Sequence, residues 1–426
     1  MSKKPKGSKI LNFGIHDPTG SGKPEDFSLQ ANTIHYYEDV TDPTIHMTVS
    51  IIDAYGKFNK LPVRSGSKVE IEIEDGDQTL RFDDETEPFY ISNILGYQPE
   101  AKKESYTIVL ETKSAFDNHI KRVFEKYKGK LSAHVEKILK DKLEIPEDRM
   151  SIEETSNNYD FCGGYRRPLQ CCSWLSPKGI PMEDSSDNEG TAGYLFYQTQ
   201  DGYVFSSIDA LFEVVKEDKD SVAKYEYKMD KMGFDVEKNK FTFSGQPVIK
   251  SNHNVLEQLV NGQFRTANWY YNIITRKPQF AEYSYADSVG EGEGSKTPMK
   301  LSGDVSNIPV EFDKDYSRIM LSTVDTGCLS TKGEQEETPS DQFLFQAQSS
   351  TRYSSLFSQT IDITVPLNLE MRAGMMIYLK LPELNKTTTD GPASGFYLVS
   401  KLCHQFGGRG DYTGLTLVRD SYIELS

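Results

Sequence analysis

Cysteine is scarce in this chain: the 426 residues hold five, Cys162, Cys171, Cys172, Cys328 and Cys403, too few and too scattered for a disulfide framework. That excludes a small disulfide-stapled scaffold and predicts folding in a reducing compartment. Long apolar runs are missing too. Nothing approaches the roughly 18 residues of a membrane helix, and the basic opening Met1 to Lys9 lacks the apolar stretch of a signal peptide. A soluble chain without membrane anchoring is expected. Bases are outnumbered, 48 Lys and Arg against 64 Asp and Glu, for a formal charge of -16. Such a balance repels polyphosphate and excludes specific nucleic-acid binding, which depends on cations displacing counterions.

Chemical signatures are equally thin. The sequence contains no GxxxxGK[ST] phosphate loop, no HExxH zinc helix and no GxSxG elbow. Cys162, Cys171 and Cys172 lie in FCGGYRRPLQCC, but adjacent cysteines without a CxxC pair make poor zinc geometry and read as packing residues. Cys403 and His404 are neighbours in a strand pattern and point to opposite faces, so they are no nucleophile–base pair. Arg409-Gly410-Asp411 spells an adhesion tripeptide, yet Gly407, Gly408 and Gly410 between two strand patterns are what a tight hairpin loop requires. No enzyme, cofactor, metal site or catalytic residue is therefore expected.

What the chain has is strand pattern. Ile45, Met47, Val49 and Ile51 alternate with polar residues, as do Val69, Ile71 and Ile73 with Glu70, Glu72 and Glu74, followed by an Asp75-Gly76 turn and a strand from Thr79 to Phe82. Phe89 to Ile94 and Tyr106 to Glu111 complete a small antiparallel unit. Near residue 112 the period changes. Phe116, Ile120, Val123, Phe124 and Tyr127 share one helical face, Leu131, Val135, Ile138, Leu139 and Leu143 another, and Pro168 opens a third helix that stops before Pro177.

Strands resume with the hairpin Gly193 to Gln198 and Tyr203 to Ser206 around Asp201-Gly202, then a hairpin-like piece from Lys224 to Asp235. Ser251 is positioned to cap a helix through Val255, Leu256, Leu259 and Val260 that ends at Gly262. Trp269 to Ile274, Gln279 to Tyr285, Ile361 to Val365, Ile377 to Leu381, Phe396 to Phe406 and Tyr412 to Arg419 read as strands. The fold class is mainly β with α insertions (α+β).

The segment from Thr351, TRYSSLFSQTIDITVPLNLEMRAGMMIYLKLPEL, with GFYLVSKLCHQF and LTLVRDSYIEL after it, resembles the end of baseplate hub proteins of contractile-tailed bacteriophages. The markers are Arg352-Tyr353, Val365-Pro366, Ala373-Gly374 and the run Leu417 to Tyr422. GYLFYQTQDGYVFSSIDALF (193 to 212) is similar to the hub hairpin that enters a Ser-Ile-Asp turn, and RRPLQCCSWLSPKGIP to the helix before it. Met375-Met376 departs from the pattern, which often has a polar pair there.

The resemblance implies two tail-tube-like antiparallel β-barrels plus mixed α/β insertions. The expected domains are a flexible segment 1–30, a first barrel 31–112, a mixed helical domain 113–192, a second, discontinuous barrel 193–235 and 350–424, and an inserted α+β domain 236–349 with mobile loops 288–298 and 330–342. It implies a homotrimer forming a pseudo-six-fold ring between tail tube and central spike protein, in the virion tail after assembly in the host cytoplasm. Expected partners are the spike, tail tube or tube-initiator proteins, baseplate wedge proteins and the tape-measure protein, with DNA only passing through a channel lined by the excess acid. Carried over as structural or interface positions are Tyr203, Phe205, Ser207, Asp209, Arg352, Tyr353, Pro366, Gly374, Arg419, Asp420 and Tyr422. Two other readings stay open on sequence: the hub of a contractile injection or secretion machine, and a tail-associated carbohydrate-binding or glycan-hydrolysing protein.

Overall fold

The computed structural model describes residues 7–18, 23–60, 63–182, 191–217, 222–228, 233–235, 240–272, 276–285, 302, 305–306, 314–323, 342–382, 391, 393–408 and 410–422. The expected loop 288–298, the expected loop 330–342 except Gln342, which is helical, most of the acidic loop 183–192, and Arg409 lie outside the described residues.

Alternation builds the first part: β1 (Lys9–Ile15), β2 (Glu25–Asp26), β3 (Ala31–Asp39), β4 (His46–Asp53), the short α1 (Lys57–Lys60), β5 (Lys68–Asp75), β6 (Gln78–Phe82), β7 (Phe89–Pro99) and β8 (Glu104–Thr112). In β5, Val69, Ile71 and Ile73 are at most 1% exposed while Glu70, Glu72 and Glu74 stay half-exposed. Each such apolar side chain contributes about 1.5–3 kcal/mol on burial, so the period of two fixes which face is inside. The stretch expected to be flexible, 1–30, instead supplies β1, whose Phe13 is fully buried and which pairs with β5.

Next come α2 (Lys113–Ile120), β9 (Lys126–Tyr127), α3 (Leu131–Leu143), β10 (Met150–Ile152), β11 (Phe161–Cys162) and α4 (Pro168–Leu175). The helix expected to reach Tyr127 stops at Ile120. Beyond it Val123 bridges Arg166 and Tyr127 pairs with Phe161, so two residues of the supposed helical face are buried as strand, while Ile120 and Phe124 are exposed. The second and third helices form as read, the latter with Pro168 in its first turn.

β12 (Tyr194–Thr199) and β13 (Gly202–Ser207) form the expected hairpin, followed by α5 (Ile208–Glu217). They do not join the strands of 350–424. β13 pairs in parallel with β10, because Tyr194, Phe196, Tyr203 and Phe205 pack into the core under α3 and α4. Of the stretch 193–235, only β14 (Ala223–Tyr227) and β15 (Gly233–Asp235) enter the large sheet. These two are not a hairpin, since β16 (Lys240–Phe243) lies between them, parallel to β14 and antiparallel to β15.

β17 (Val248–Asn252) contains Ser251, so the helix cap falls to Asn254, whose side chain accepts from the Glu257 amide at the start of α6 (Val255–Asn261). Gly262 (φ +76°) ends that helix as expected. A separate three-stranded sheet holds β18 (Arg265–Asn272), β19 (Lys277–Ser284) and, after the two-residue β20 (Val305–Ser306), β21 (Arg318–Thr323). Then α7 (Gln342–Leu356) leads into β22 (Gln359–Pro366), β23 (Met376–Lys380), β24 (Gly395–Gly407), β25 (Tyr412–Arg419) and β26 (Ser421–Tyr422).

The large sheet, curled and of 16 strands, repeats itself. The neighbours β4, β8, β7, β5 recur as β22, β25, β24, β23. Met47 and Val49 face Leu110 and Ile108 as Ile361 and Ile363 face Leu417 and Leu415. β7 and β24 bulge at the same place, between Ile91 and Asn93 and between Val399 and Lys401. Val69 faces Phe89 as Ile377 faces Tyr397, and β3 flanks β4 as β17 flanks β22. The halves are joined where β24 pairs with β3, from Lys401 opposite Asp39 to Gly407 opposite Thr33, and one apolar core runs through both.

Candidate functional site

The residues that link these parts form buried polar joints. The largest centres on Arg352 of α7. Its guanidinium donates to Asp209 at 3.0 Å and to Asp420 at 2.6 Å, with none of the Arg352 or Asp420 side chain exposed. Asp209 is aimed by the hairpin end: Ser207 caps α5 by accepting from the Ala210 amide at 3.0 Å, and Glu153 clasps the amide and hydroxyl of Ser207 at 2.6 and 2.8 Å. Asp420 follows directly on β25. The outer carboxylate oxygens accept from the Thr191 amide at 3.1 Å and from the Ser302 amide and hydroxyl at 2.9 and 2.6 Å. Burial alone would lower the Arg352 pKa, but the facing carboxylates raise it above its ordinary value. The arrangement is a two-sided ion clamp, worth keeping only if complete, since each partner is stranded in low dielectric without the others.

Beside it, the Tyr353 hydroxyl donates to the Tyr194 carbonyl. Arg419 bonds Gln359 and the Ser394 carbonyl and lies over the Tyr397 ring, 4.6 Å from its centroid. The Tyr203 hydroxyl donates to Ser114 at 2.7 Å, and Phe205 stacks on Tyr194 at 4.5 Å. Pro366 closes β22 opposite Tyr412, and Tyr422 pairs with Val305. Gly374 (φ +85°) lies so close to Tyr197 that a Cβ there would collide with the hydroxyl. The structure thus brings Asp209, Arg352 and Asp420 together and places Tyr203, Phe205, Ser207, Tyr353, Gly374 and Arg419 at other interior contacts.

Sequence reasoning missed a second joint. Glu38 on β3 is 1% exposed and accepts from the Tyr36 hydroxyl at 2.6 Å and from the amides of Gln200 and Ala373, each at 2.8 Å. It therefore ties the first half-sheet to the β12–β13 turn and to the loop before β23. Arg372, next to Ala373, pairs with Asp201 at 2.8 Å. The signal was available: Ile34, Tyr36 and Glu38 alternate, which puts Glu38 inside. Glu87 repeats the theme, taking bonds from Gln198 at 2.6 Å and the Ser114 amide at 3.1 Å.

Burial raises the Glu38 carboxyl to about 7, against the opposing pull of its donors and Arg372. A folded pKa above the ordinary 4.5 means that this group favours folding fully below pH 4.5 and loses that contribution as pH rises through 7. Glu111, raised to about 7 by burial and then Asp42, acts in the same sense. His404, buried and driven down to about 3, acts oppositely, its contribution lost as pH falls from 6.5 toward 3. Thermal melts of Glu38→Gln and the parent should show the difference in midpoint shifting in favour of the variant from pH 4.5 to 7.5. A constant difference would show that Glu38 does not titrate in that window.

Among the described residues no group of three or more His, Cys, Asp or Glu side chains is placed to hold a metal ion. A cavity of about 260 Å³ between β1, β3 and β24 includes Ile10, Ile34 and Phe406, with Asp411 at its rim accepting from the amides of Ser8 and Gly407. What these joints can do is mechanical: they hold segments far apart in sequence in fixed relation.

No protein-family model and no curated protein matches the chain. Solved structures do. The tail protein from Neisseria meningitidis MC58 superimposes with a TM-score of 0.52 at 10% identity, over 97% of this chain and 97% of that one. The 43 kDa tail protein of prophage MuSo2 from Shewanella oneidensis gives 0.54 at 10% identity, over 97% and 99%. The architecture is that of phage tail proteins, as the resemblance in 193–212 and in the segments from Thr351 onward led us to expect.

Proposed function

We propose that this chain is a structural, non-enzymatic hub subunit of a contractile phage tail baseplate, three copies forming a pseudo-six-fold ring between the tail tube and the central spike. The observation that carries this reading is the repeated strand order β4-β8-β7-β5 and β22-β25-β24-β23 within one chain. Two like units per chain are what a three-copy ring needs to present near six-fold symmetry, each half-sheet being one tube-like barrel. Buried ion clamps suit a part that transmits load and does no chemistry. The partners on this reading are the spike protein on one face, tube or tube-initiator and tape-measure proteins on the other, and wedge proteins outside. The charge of -16 keeps passing DNA from adhering to the channel wall.

The test is native mass spectrometry and negative-stain microscopy of the protein at high concentration, alone and with its spike protein. Trimers that show a central hole end-on are the expected result. Monomers under both conditions would remove the ring.

A further inference from the structure

Between α2 and α4 the chain keeps an aromatic pair in solvent. From Val123 to Lys128 the side chains alternate: Val123 and Tyr127 are buried, Phe124, Lys126 and Lys128 exposed. Lys126 pairs with Cys162, and the chain then turns from Gly163 to Arg166, whose amide donates to the Gly163 carbonyl at 3.2 Å. Both central residues of the turn have positive φ, +62° at Gly164 and +59° at Tyr165. Such positions favour glycine or asparagine, because a Cβ there crowds the following carbonyl oxygen. A tyrosine stands there instead, and the fold gains little from its ring. Tyr165 is 74% exposed, and Phe124, on which it stacks at 6.1 Å, is itself 56% exposed. Strained residues cluster where a protein clamps another molecule.

The charge around the pair is opposite to that of the whole chain. From Lys121 to Lys142 there are eight lysines and arginines against three acids, where the chain has 48 against 64. Lys142 lies over the Phe124 ring, 4.7 Å from its centroid, and Arg167 is exposed two residues past Tyr165. Lys121, Lys130, Lys140 and Lys142 have carboxylate partners, whereas among the described residues Lys126 and Arg167 have none.

We propose that the Phe124–Tyr165 face, with Lys126 and Arg167 at its margin, docks an acidic segment of a partner protein that carries an apolar or aromatic side chain. The apolar residue lies against the ring pair and the carboxylates meet the two cations, an aromatic anchor inside a charged rim. A polynucleotide fits worse. Its charge extends well beyond this strip, into the field of a chain whose formal charge is -16, whereas a short acidic segment meets only the basic surroundings of the pair. These residues belong to the unit of α2, α3 and α4 and not to the large sheet, so the docking stands or falls apart from the ring.

The test is selection from a random dodecapeptide library on the full-length protein, followed by fluorescence anisotropy of the enriched peptides. These should be net acidic with at least one apolar or aromatic residue, and should bind more weakly as salt rises from about 50 to about 300 mM. Phe124→Ala and the double variant Lys126→Glu/Arg167→Glu should each lose at least about tenfold in affinity. Tyr165→Gly separates docking from folding. Glycine takes the positive φ without strain, so this variant should melt no lower than the parent and still lose at least about tenfold in affinity. A lower melting midpoint would show the ring to be held by the fold and would overturn the proposal. An empty selection, neutral or basic enriched peptides, or equal binding by the parent and all three variants would do the same. Oligothymidylate that binds more tightly than the best acidic peptide, and weakens in the same variants, would overturn it in favour of a nucleic acid.

Discussion

Replacing Arg352 by alanine will lower the stability of the fold by about 3–5 kcal/mol, the cost of leaving buried charge without its partner. Two carboxylates are stranded at once. Asp209 and Asp420 keep their backbone and Ser302 donors but lose the cation between them, at side-chain exposures of 4% and 0%. Lysine restores the charge and not the fork, because a single ammonium cannot reach both carboxylates with the planar geometry that guanidinium supplies. Arg352→Lys is therefore expected to recover less than half of the loss. Urea unfolding followed by near-UV circular dichroism measures both, and an Arg352→Ala midpoint within error of the parent would show that the clamp contributes nothing net. A triple change of Asp209, Arg352 and Asp420 to apolar residues of similar size should cost less than Arg352→Ala alone, since removing a whole buried ion network leaves no orphaned charge.

Gly374→Ala is expected to cost at least about 2 kcal/mol, the sum of a left-handed backbone that alanine disfavours and overpacking against a neighbour. The neighbour is Tyr197, whose hydroxyl occupies the space a Cβ would need. Escape is blocked on the other side, because the Gly374 amide is held to the Val399 carbonyl at 2.8 Å. Tyr197→Phe removes the nearest atom but not the ring, so the double variant Gly374→Ala/Tyr197→Phe should recover part of the loss. Thermal melts decide it: an additive double variant would place the whole cost in the backbone.

Strict periods were the legible part of this fold. The β5–β6 hairpin and α3 could be read because every second, or every third and fourth, residue is apolar without interruption. Val123 and Tyr127 misled because five apolar residues fell at helical spacing by chance, and strand partners more than 30 residues ahead, Phe161 and Arg166, decided the local structure. α7 was invisible for the opposite reason. Its Gln, Ser and Thr residues give no apolar face, and Gln348 and Arg352 are buried by polar bonds that only the tertiary structure supplies. The motifs around Asp209, Arg352 and Asp420 were each recognisable by resemblance, but nothing in any one of them says that the three meet. A doubling was expected from the resemblance alone, and the matched strand order could not be read from the residues, since Ile against Leu at matched positions is not a detectable sequence period.

The β24–β3 joint sets a clock on synthesis. His35 and Gln405 bond to each other across 370 residues of chain. At roughly 5–20 residues per second, β3 emerges from the ribosome on the order of 20–75 s before its partner exists. For that interval the nascent chain carries β3 without its β24 partner, and neighbouring ribosomes on one message hold further copies within reach. β24 is the strand that seals it, so a chain that stops short of β24 is left with a sticky edge, and β3 must be shielded until β24 has been made.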